Sequence, residues 1–280
     1  MPLTDAQWAR IEPLLPDRTP RRGGRWRDHR EVIDAIAWKF QTGSQWVHLP
    51  EKYGNWRGVY NRLRMWAIDG TWGRVFTALV AQADADEDLN WAVSVDSTIV
   101  RTPAGGWSPQ KGAPAGEPAD HAIGRSRGGL TTKIHLASDA HCRPLVFVLT
   151  AGQAGDAPAF THVMARLRVP RRRGRPRTRP DVVLADKAYS SRAIREHLPK
   201  RGIHAVIPVP ADQRGHCLRR RSRGGRPPAF DREAYKQRNT VERCINRLKQ
   251  WQGIATRYEK TATIYLAGLH LAGIFVWSAR

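Results

Sequence analysis

Cysteine is scarce in this sequence: Cys142, Cys217 and Cys244 are odd in number and far apart. No Cys-x-x-Cys spacing occurs, which excludes a disulfide framework and a cysteine zinc site and fits a reducing compartment. Acidic residues are also short in supply, 25 against 47 Lys and Arg, for a formal net charge of +22. Self-repulsion on that scale gains a soluble protein little, so the deficit points to a polyanionic partner, nucleic acid before an acidic membrane. Lysine is rare within the basic set, nine of the 47, and the other 38 are arginine. Arginine's planar fork suits phosphates and guanine edges, although a GC-rich coding sequence would raise arginine with no functional meaning. Long apolar runs are missing too. An early acid, Asp5, and the lack of a hydrophobic stretch near it leave no secretory signal visible. Residues 264–277 are strongly apolar but too few to span a bilayer, and they include His270, so a buried C-terminal helix is expected, with no membrane attachment.

What is present divides in two. Hydrophobic residues make up 41% of the 280, enough for a core, and the length suits one or two domains. Residues 1–82 read as an all-α domain. Thr4 with Gln7 forms a capping box, followed by Trp8, Ile11 and Leu15 at helical spacing until Pro16. Asp28 with Glu31 caps a second helix, in which Val32, Ile36 and Phe40 line one face until Gly43. Residues 44–50 suggest a short turn or two. Gly54 permits a tight turn, and Asn55 caps a helix with Trp56, Val59, Tyr60, Leu63 and Trp66 inward and Arg57, Asn61, Arg62 and Arg64 outward. That layout is a helix-turn-helix, with residues 55–68 as recognition helix and Arg57 and Arg62 against DNA. A small bundle with solvated arginines is the plainer alternative. A helix over 71–82 then leads into an acidic linker at 83–88.

From residue 89 the texture changes. Residues 91–100, 129–138 and 142–152 read as strands, the last two joined by a hairpin turn. A helix over 158–168 and a basic loop, 171–180, precede a buried strand at 181–189, a helix over 191–198 and a fifth strand at 204–210. A second basic loop, 214–228, leads to Asp231, which caps a long helix reaching about residue 251. Strands first, then alternation with helices, predicts a mixed-sheet α/β domain over 89–280. No internal repeat is visible.

Three acids stand out. Asp96 lies inside a strand, an expensive place for a charge, on a face shared with Ala92, Ser94, Thr98 and Val100 that leaves room for something to bind over it. Pairing with a core arginine is the simpler explanation. Asp186 ends an apolar strand, where side chains of an α/β sheet reach its crevice, though strand-end aspartates are common. At roughly 100° per residue, Tyr235, Arg238, Glu242 and Lys249 fall within an arc of about 60° beside a core face of Ala234, Val241, Cys244, Ile245, Leu248 and Trp251. A solvated salt-bridge ladder explains Glu242 with Arg238 but not Tyr235 and Lys249.

The spacing Tyr235, two residues, Arg238, three residues, Glu242, six residues, Lys249 resembles the Y-R-E-K signature of DDE transposases. The strings GRSRGGLTTKIHLASDA, VVLADKAYSS, RNTVERCINRLKQWQGIATRYEK and LTDAQWARIEPLLP resemble insertion sequence family 5 over nearly the whole chain. No catalytic position departs from the pattern; Cys142 stands in a turn where relatives often have glycine. The resemblance implies an RNase H-like fold, with Asp96 on the first strand, Asp186 just after the fourth and Glu242 on a following helix. It implies that the three hold two divalent ions, Mg²⁺ with Mn²⁺ as substitute, as oxygen-only ligands favour. Water would cut at the element's end, and the freed 3′-OH would attack target DNA. Arg238 and Lys249 would bind phosphates near the cut and Tyr235 would position the strand. The implied partners are double-stranded DNA, as terminal inverted repeats and as target, and a second copy of the chain within the DNA complex. The implied place is the bacterial cytoplasm, at the nucleoid. The basic loops border the catalytic segments, so Arg171, Arg172, Arg173 and Arg175 are expected on DNA phosphates; solvated loops are the alternative. Two rival functions share these features: a DNA-binding regulator with a silent site, and an RNase H-like nuclease without strand transfer.

Overall fold

Capping chemistry sets the N-terminal helices. Thr4 Oγ1 accepts from the Gln7 amide and Gln7 Oε1 from the Thr4 amide, which opens α1 (Asp5–Ile11). Asp28 Oδ1 accepts from the Arg30 and Glu31 amides to open α2 (His29–Thr42), and Gly43, at φ 69°, closes it in the left-handed conformation. Short 3₁₀ turns at Trp46–His48 and Glu51–Tyr53 lead to the Asn55 cap of α3 (Trp56–Ile68), which buries Val59, Leu63 and Trp66. In this computed structural model the described residues are 2–17, 27–103, 114, 116–126, 128–224 and 228–280.

The next helix, α4 (Thr71–Ala85), outruns its expected end at 82 because Ala83 is fully buried. Most of the expected linker at 83–88 is therefore anchored. Asp84 accepts from Trp91 Nε1 at 2.7 Å, and Asp88 pairs with the buried Arg143.

The chain then enters β1 (Ala92–Arg101), a three-residue β2 (Gly124–Ser126), β3 (Gly129–Ser138) and β4 (Pro144–Ala151). β3 runs antiparallel to β1 on one edge and to β4 and β2 on the other. Cys142 closes the β3–β4 turn at φ 59°, a left-handed position where glycine is unstrained. After α5 (Asp156–Arg166), β5 (Val182–Ala185) lies parallel to β1, and after α6 (Arg192–Lys200), β6 (His204–Val206) lies parallel to β5. Antiparallel β4, β3 and β1 followed by parallel β5 and β6 make a mixed sheet, as expected for residues 89–280.

Further expected elements differ: the buried strand expected over 181–189 ends at Ala185, because the Asp186 side chain accepts from the Ala188 amide and caps a 3₁₀ turn at Lys187–Tyr189. The fifth strand stops at Val206 rather than running to 210, since Pro208 and Pro210 have no N–H for a ladder. The second basic loop is largely helical, as α7 (Ala211–Arg219) and a 3₁₀ turn at Arg221–Gly224; of its expected span, 225–227 lie outside the described residues. The long helix after Asp231 is two, α8 (Arg232–Lys236) and α9 (Asn239–Lys249). Between them the chain tightens to i→i+3 bonds, Arg238 N to Tyr235 O at 3.0 Å and Val241 N to Arg238 O at 3.2 Å.

A short α10 (Gln252–Ala255) precedes α11 (Ala262–Ser278), the expected buried C-terminal helix. It packs on α1, α3, α4 and β4, so the helical region and the sheet share one hydrophobic core. Buried Lys39 of α2 pairs with Glu259 across the same junction. Among the described residues, no helix is long and apolar enough to cross a membrane.

Candidate active site

Strand register assembles the aspartates. Parallel pairing sets Val95 opposite Ala185, so Asp96 and Asp186 follow at the next position of adjacent strands, which lie about 4.8 Å apart. Each has one oxygen fixed locally: Asp96 Oδ1 accepts from the Ser97 amide and Asp186 Oδ1 from the Ala188 amide, both at 2.8 Å. The second oxygen of Asp96 faces the helix that docks over β1.

That helix is α9, and it fills the room expected above Asp96. Val241, Cys244, Ile245 and Leu248 are buried beneath it. Thr240 Oγ1 donates to Ser94 Oγ at 3.0 Å and Lys249 Nζ to Thr98 Oγ1 at 2.6 Å, fastening it along the small polar face of β1. Between these clasps, Arg238 Nη2 donates to Asp96 Oδ2 at 2.9 Å and Nη1 to Glu242 Oε1 at 2.8 Å. The partner of Asp96 is thus an arginine, and the same arginine also holds the glutamate.

The charges act on one another. Burial raises the Asp96 carboxyl above its usual range and the nearby Asp186 and Glu242 add to it, while the Ser97 amide and Arg238 oppose. Burial would lower Arg238, but Asp96, Glu242, Tyr235 and Asp186 outweigh it, and its pKa rises. Burial raises the Tyr235 phenol, with Asp186 and Glu242 acting in the same sense and Arg238 against. Burial lowers the Lys249 ammonium. Asp96, Asp186, Tyr235, Arg238 and Glu242 therefore form one electrostatic cluster, and Lys249 is held on the same strand two residues beyond Asp96.

Among the described residues, no three His, Cys, Asp or Glu side chains are grouped to hold a metal ion as they stand. The donor chemistry nonetheless fits one. Asp186 and Glu242 both lie near enough to Asp96 to disfavour its charge, and the cation that pairs with Asp96 and Glu242 is a guanidinium. Oxygen-only donors suit a hard divalent ion.

A polar network behind the sheet gave no signal in the sequence. Ser97 Oγ donates to Asp156 Oδ1 at 2.6 Å, and Lys133 Nζ reaches the same oxygen at 3.1 Å. His135 Nε2 meets Thr150 Oγ1 at 2.9 Å, and burial pushes its pKa down to about 4. Burial raises the Tyr189 phenol, with Asp156, Asp96 and Asp186 adding to it.

The expected DNA-binding arginines are dispersed. Arg57 is exposed on α3, stacked on the Trp56 ring at 4.6 Å. Arg62 is not outward as expected: it is half-buried, 2.9 Å from His29 Nδ1 and over the Trp66 ring at 5.2 Å. Arg171, Arg172, Arg173 and Arg175 are exposed, but the structure does not bring them to the carboxylates. Their loop enters the start of β5 while Asp186 leaves its end, a separation of roughly 15 Å at strand rise. Arg171 instead faces Asp84 at 3.7 Å, and Arg177 in the same loop pairs with Asp181 and lies over the Trp91 ring. The second basic segment is on the carboxylate side, since Gln213 of α7 exchanges hydrogen bonds with Ser190, shortly after Asp186.

Comparison with known proteins gives the family of the chain. The profile of the putative transposase of IS4/5 family matches residues 3–76, and that of the transposase DDE domain matches residues 88–277. A putative transposase for insertion sequence element IS6501 from Brucella ovis is 28% identical over 148 residues, covering 53% of this chain and 98% of that protein. The putative transposase for insertion sequence element IS402 from Burkholderia cepacia is 31% identical over 148 residues, 52% of this chain and 62% of its own. An uncharacterized protein, y4sN, from Sinorhizobium fredii is 35% identical over 99 residues, 35% of this chain and 75% of its own. Among solved structures, the Mos1 strand transfer complex aligns over 92% of this chain and 79% of the other, at 15% identity and a TM-score of 0.26. With the DDE profile running through both aspartate strands and the glutamate helix, the chain belongs to the DDE-domain transposases of the IS4/5 group.

Proposed function

We propose that this transposase cuts DNA at the ends of its insertion sequence and joins the freed 3′ ends to target DNA, at a site made of Asp96, Asp186 and Glu242. The supporting observation is the parallel register that sets Asp96 beside Asp186 while Arg238 ties Asp96 to Glu242. All three acids are intact, which favours an active enzyme over a regulator with a silent site. In this reading they hold divalent ions, Mg²⁺ or Mn²⁺ as substitute, which when bound supply charge neutralisation and Lewis acidity at the scissile phosphate.

The protein's own groups do the rest. Asp96 and Asp186 each keep one oxygen on a backbone amide, so their second oxygens are pre-aimed. Arg238 and Lys249 face the same strand and present charge to phosphate oxygens beside the cut, and Tyr235, half-buried next to Phe230 at 5.2 Å, supports the strand. Residues 1–82 supply sequence recognition through α3, with Arg57 reaching base edges and Arg62 shaping the helix through Trp66. Residues 89–280 supply the chemistry. Arg171, Arg172, Arg173 and Arg175 contact phosphates away from the cut. The complex on DNA is a homodimer, and the protein works in the bacterial cytoplasm at the nucleoid. The test is to incubate the full chain with Mg²⁺ and labelled flanking DNA of its own gene and map the breaks. Discrete 3′ ends at a terminal repeat support the proposal; absence of any nick on that DNA, in Mg²⁺ or Mn²⁺, counts against it.

A further inference from the structure

Arg238 holds two of the three carboxylates at once. Its two terminal nitrogens donate to Asp96 Oδ2 at 2.9 Å and to Glu242 Oε1 at 2.8 Å, and its side chain is 19% exposed. Its Nε is buried with no hydrogen-bond partner, so the fork retains one donor that no acceptor satisfies. The oxygens it occupies are ones a divalent ion would need, and a guanidinium and a divalent cation repel at such range.

We infer that Arg238 occupies the cation seat of the DNA-free transposase, and that a DNA phosphate opens the seat by drawing the guanidinium away from Asp96 and Glu242. The inference rests on the reading of Asp96, Asp186 and Glu242 as metal ligands. Phosphate is the natural competitor, because it offers a planar fork two or three acceptors, enough for the terminal nitrogens and the unpartnered Nε. The backbone permits the swing. Arg238 lies at the joint between α8 and α9, where bonding is i→i+3, and Glu242 is 47% exposed. Metal and DNA binding are then coupled, and by linkage each tightens the other by the same factor. The seat stays closed in free protein, which restrains metal-dependent cutting until DNA is in place.

The measurement is Mn²⁺ binding, followed by loss of the free-ion paramagnetic resonance signal. It uses the full chain with and without a short duplex carrying the element's end, after subtracting uptake by the duplex alone. Wild type is expected to bind Mn²⁺ about tenfold or more tightly with DNA than without, within the usual range of site coupling. Arg238→Gln, which keeps most of the side-chain volume, is expected to bind Mn²⁺ tightly without DNA, with the DNA effect falling to near unity. Should Arg238→Gln fail to show a wild-type thermal transition, Arg238→Lys replaces it. One ammonium cannot bridge two carboxylates as the fork does, so an intermediate ratio is expected. A wild-type ratio near unity, with Glu242→Gln abolishing Mn²⁺ uptake, overturns the seat mechanism and leaves the ligand assignment standing. Equal uptake by wild type and Glu242→Gln on DNA overturns the ligand assignment itself.

Discussion

Acid should unfold this protein earlier than its carboxylates alone would require, because buried His135 and partly buried His270 both sit where the neutral imidazole is favoured. His135 is 1% exposed, with Nε2 on Thr150 and Nδ1 free of hydrogen bonds but 3.9 Å from Asp156 Oδ1, and burial outweighs that carboxylate to depress its pKa to about 4. His270 packs between Phe76 and Phe147 at ring distances of 5.3 and 6.0 Å, and burial takes it to about 4 as well. The unfolded chain titrates both near 6.5. Between about pH 6.5 and 4 the unfolded state therefore binds more protons than the folded one, and stability falls with falling pH. Each histidine contributes about 1.4 kcal/mol per pH unit over that window, or roughly 3 kcal/mol in full, so the pair is worth about 6 kcal/mol. That is comparable to the whole stability of many domains, roughly 5–15 kcal/mol. The assay is urea unfolding at pH 7.5, 6.5, 5.5 and 4.5 for wild type, His135→Gln and His270→Leu. Each substitution should move the midpoint upward relative to wild type as pH falls from 7.5 to 4.5 and flatten the slope below pH 6.5 by up to one proton. A variant with the wild-type pH slope would refute the reasoning for that histidine.

Arg257 is fully buried and donates to the carbonyls of His121, Ala122, Glu259 and Lys260 and to Thr132 Oγ1. Arg257→Met strands those acceptors and should cost about 3 kcal/mol in urea unfolding; a loss under about 1 kcal/mol would mean the acceptors find other partners. Alanine at Arg219, Arg220, Arg221 and Arg223, at and beyond the end of α7, should lower the slope of log K against log salt by up to about 3.6 and slow cleavage. Alanine at Arg171, Arg172, Arg173 and Arg175 should spare the cleavage rate of the bound complex, and loss of that rate would contradict the placement of this loop. Arg57→Ala should weaken binding to the terminal repeat by about 1–3 kcal/mol with less effect on random duplex, which competition binding measures directly.

The legible parts of the fold were those fixed by local chemistry. The Thr4 and Asp28 caps, the left-handed Gly43 and the alternation within β1 each depend on a few neighbouring residues. The face of Asp96 was legible for the same reason: Ser94 and Thr98 share it by strand alternation, although what covers it, α9 through Thr240 and Lys249, is a tertiary fact. The break between α8 and α9 was invisible because Gln237 and Arg238 are good helix formers, and docking on β1 decides the bonding there. Sequence adjacency misled at residues 171–180. A loop that precedes a strand joins its far end, so bordering Asp186 in the chain meant distance from it in space. The role of Asp156 had no signal, since Ser97 and Lys133 meet it only once β1, β3 and α5 are packed.

The central claim is that Asp96, Asp186 and Glu242 act as one metal-dependent cutting site. Its most direct test is strand cleavage at the element's end in Mg²⁺ by Asp96→Asn, Asp186→Asn and Glu242→Gln, beside their affinity for the same DNA. Each variant should lose more than about a hundredfold in cleavage, because even outer partners of a metal ligand cost 10–100-fold. DNA affinity, carried mostly by arginines elsewhere, should stay near wild type. Cleavage within about tenfold of wild type by any one of the three would contradict the account, since losing a carboxylate ligand must cost at least as much as losing an outer partner.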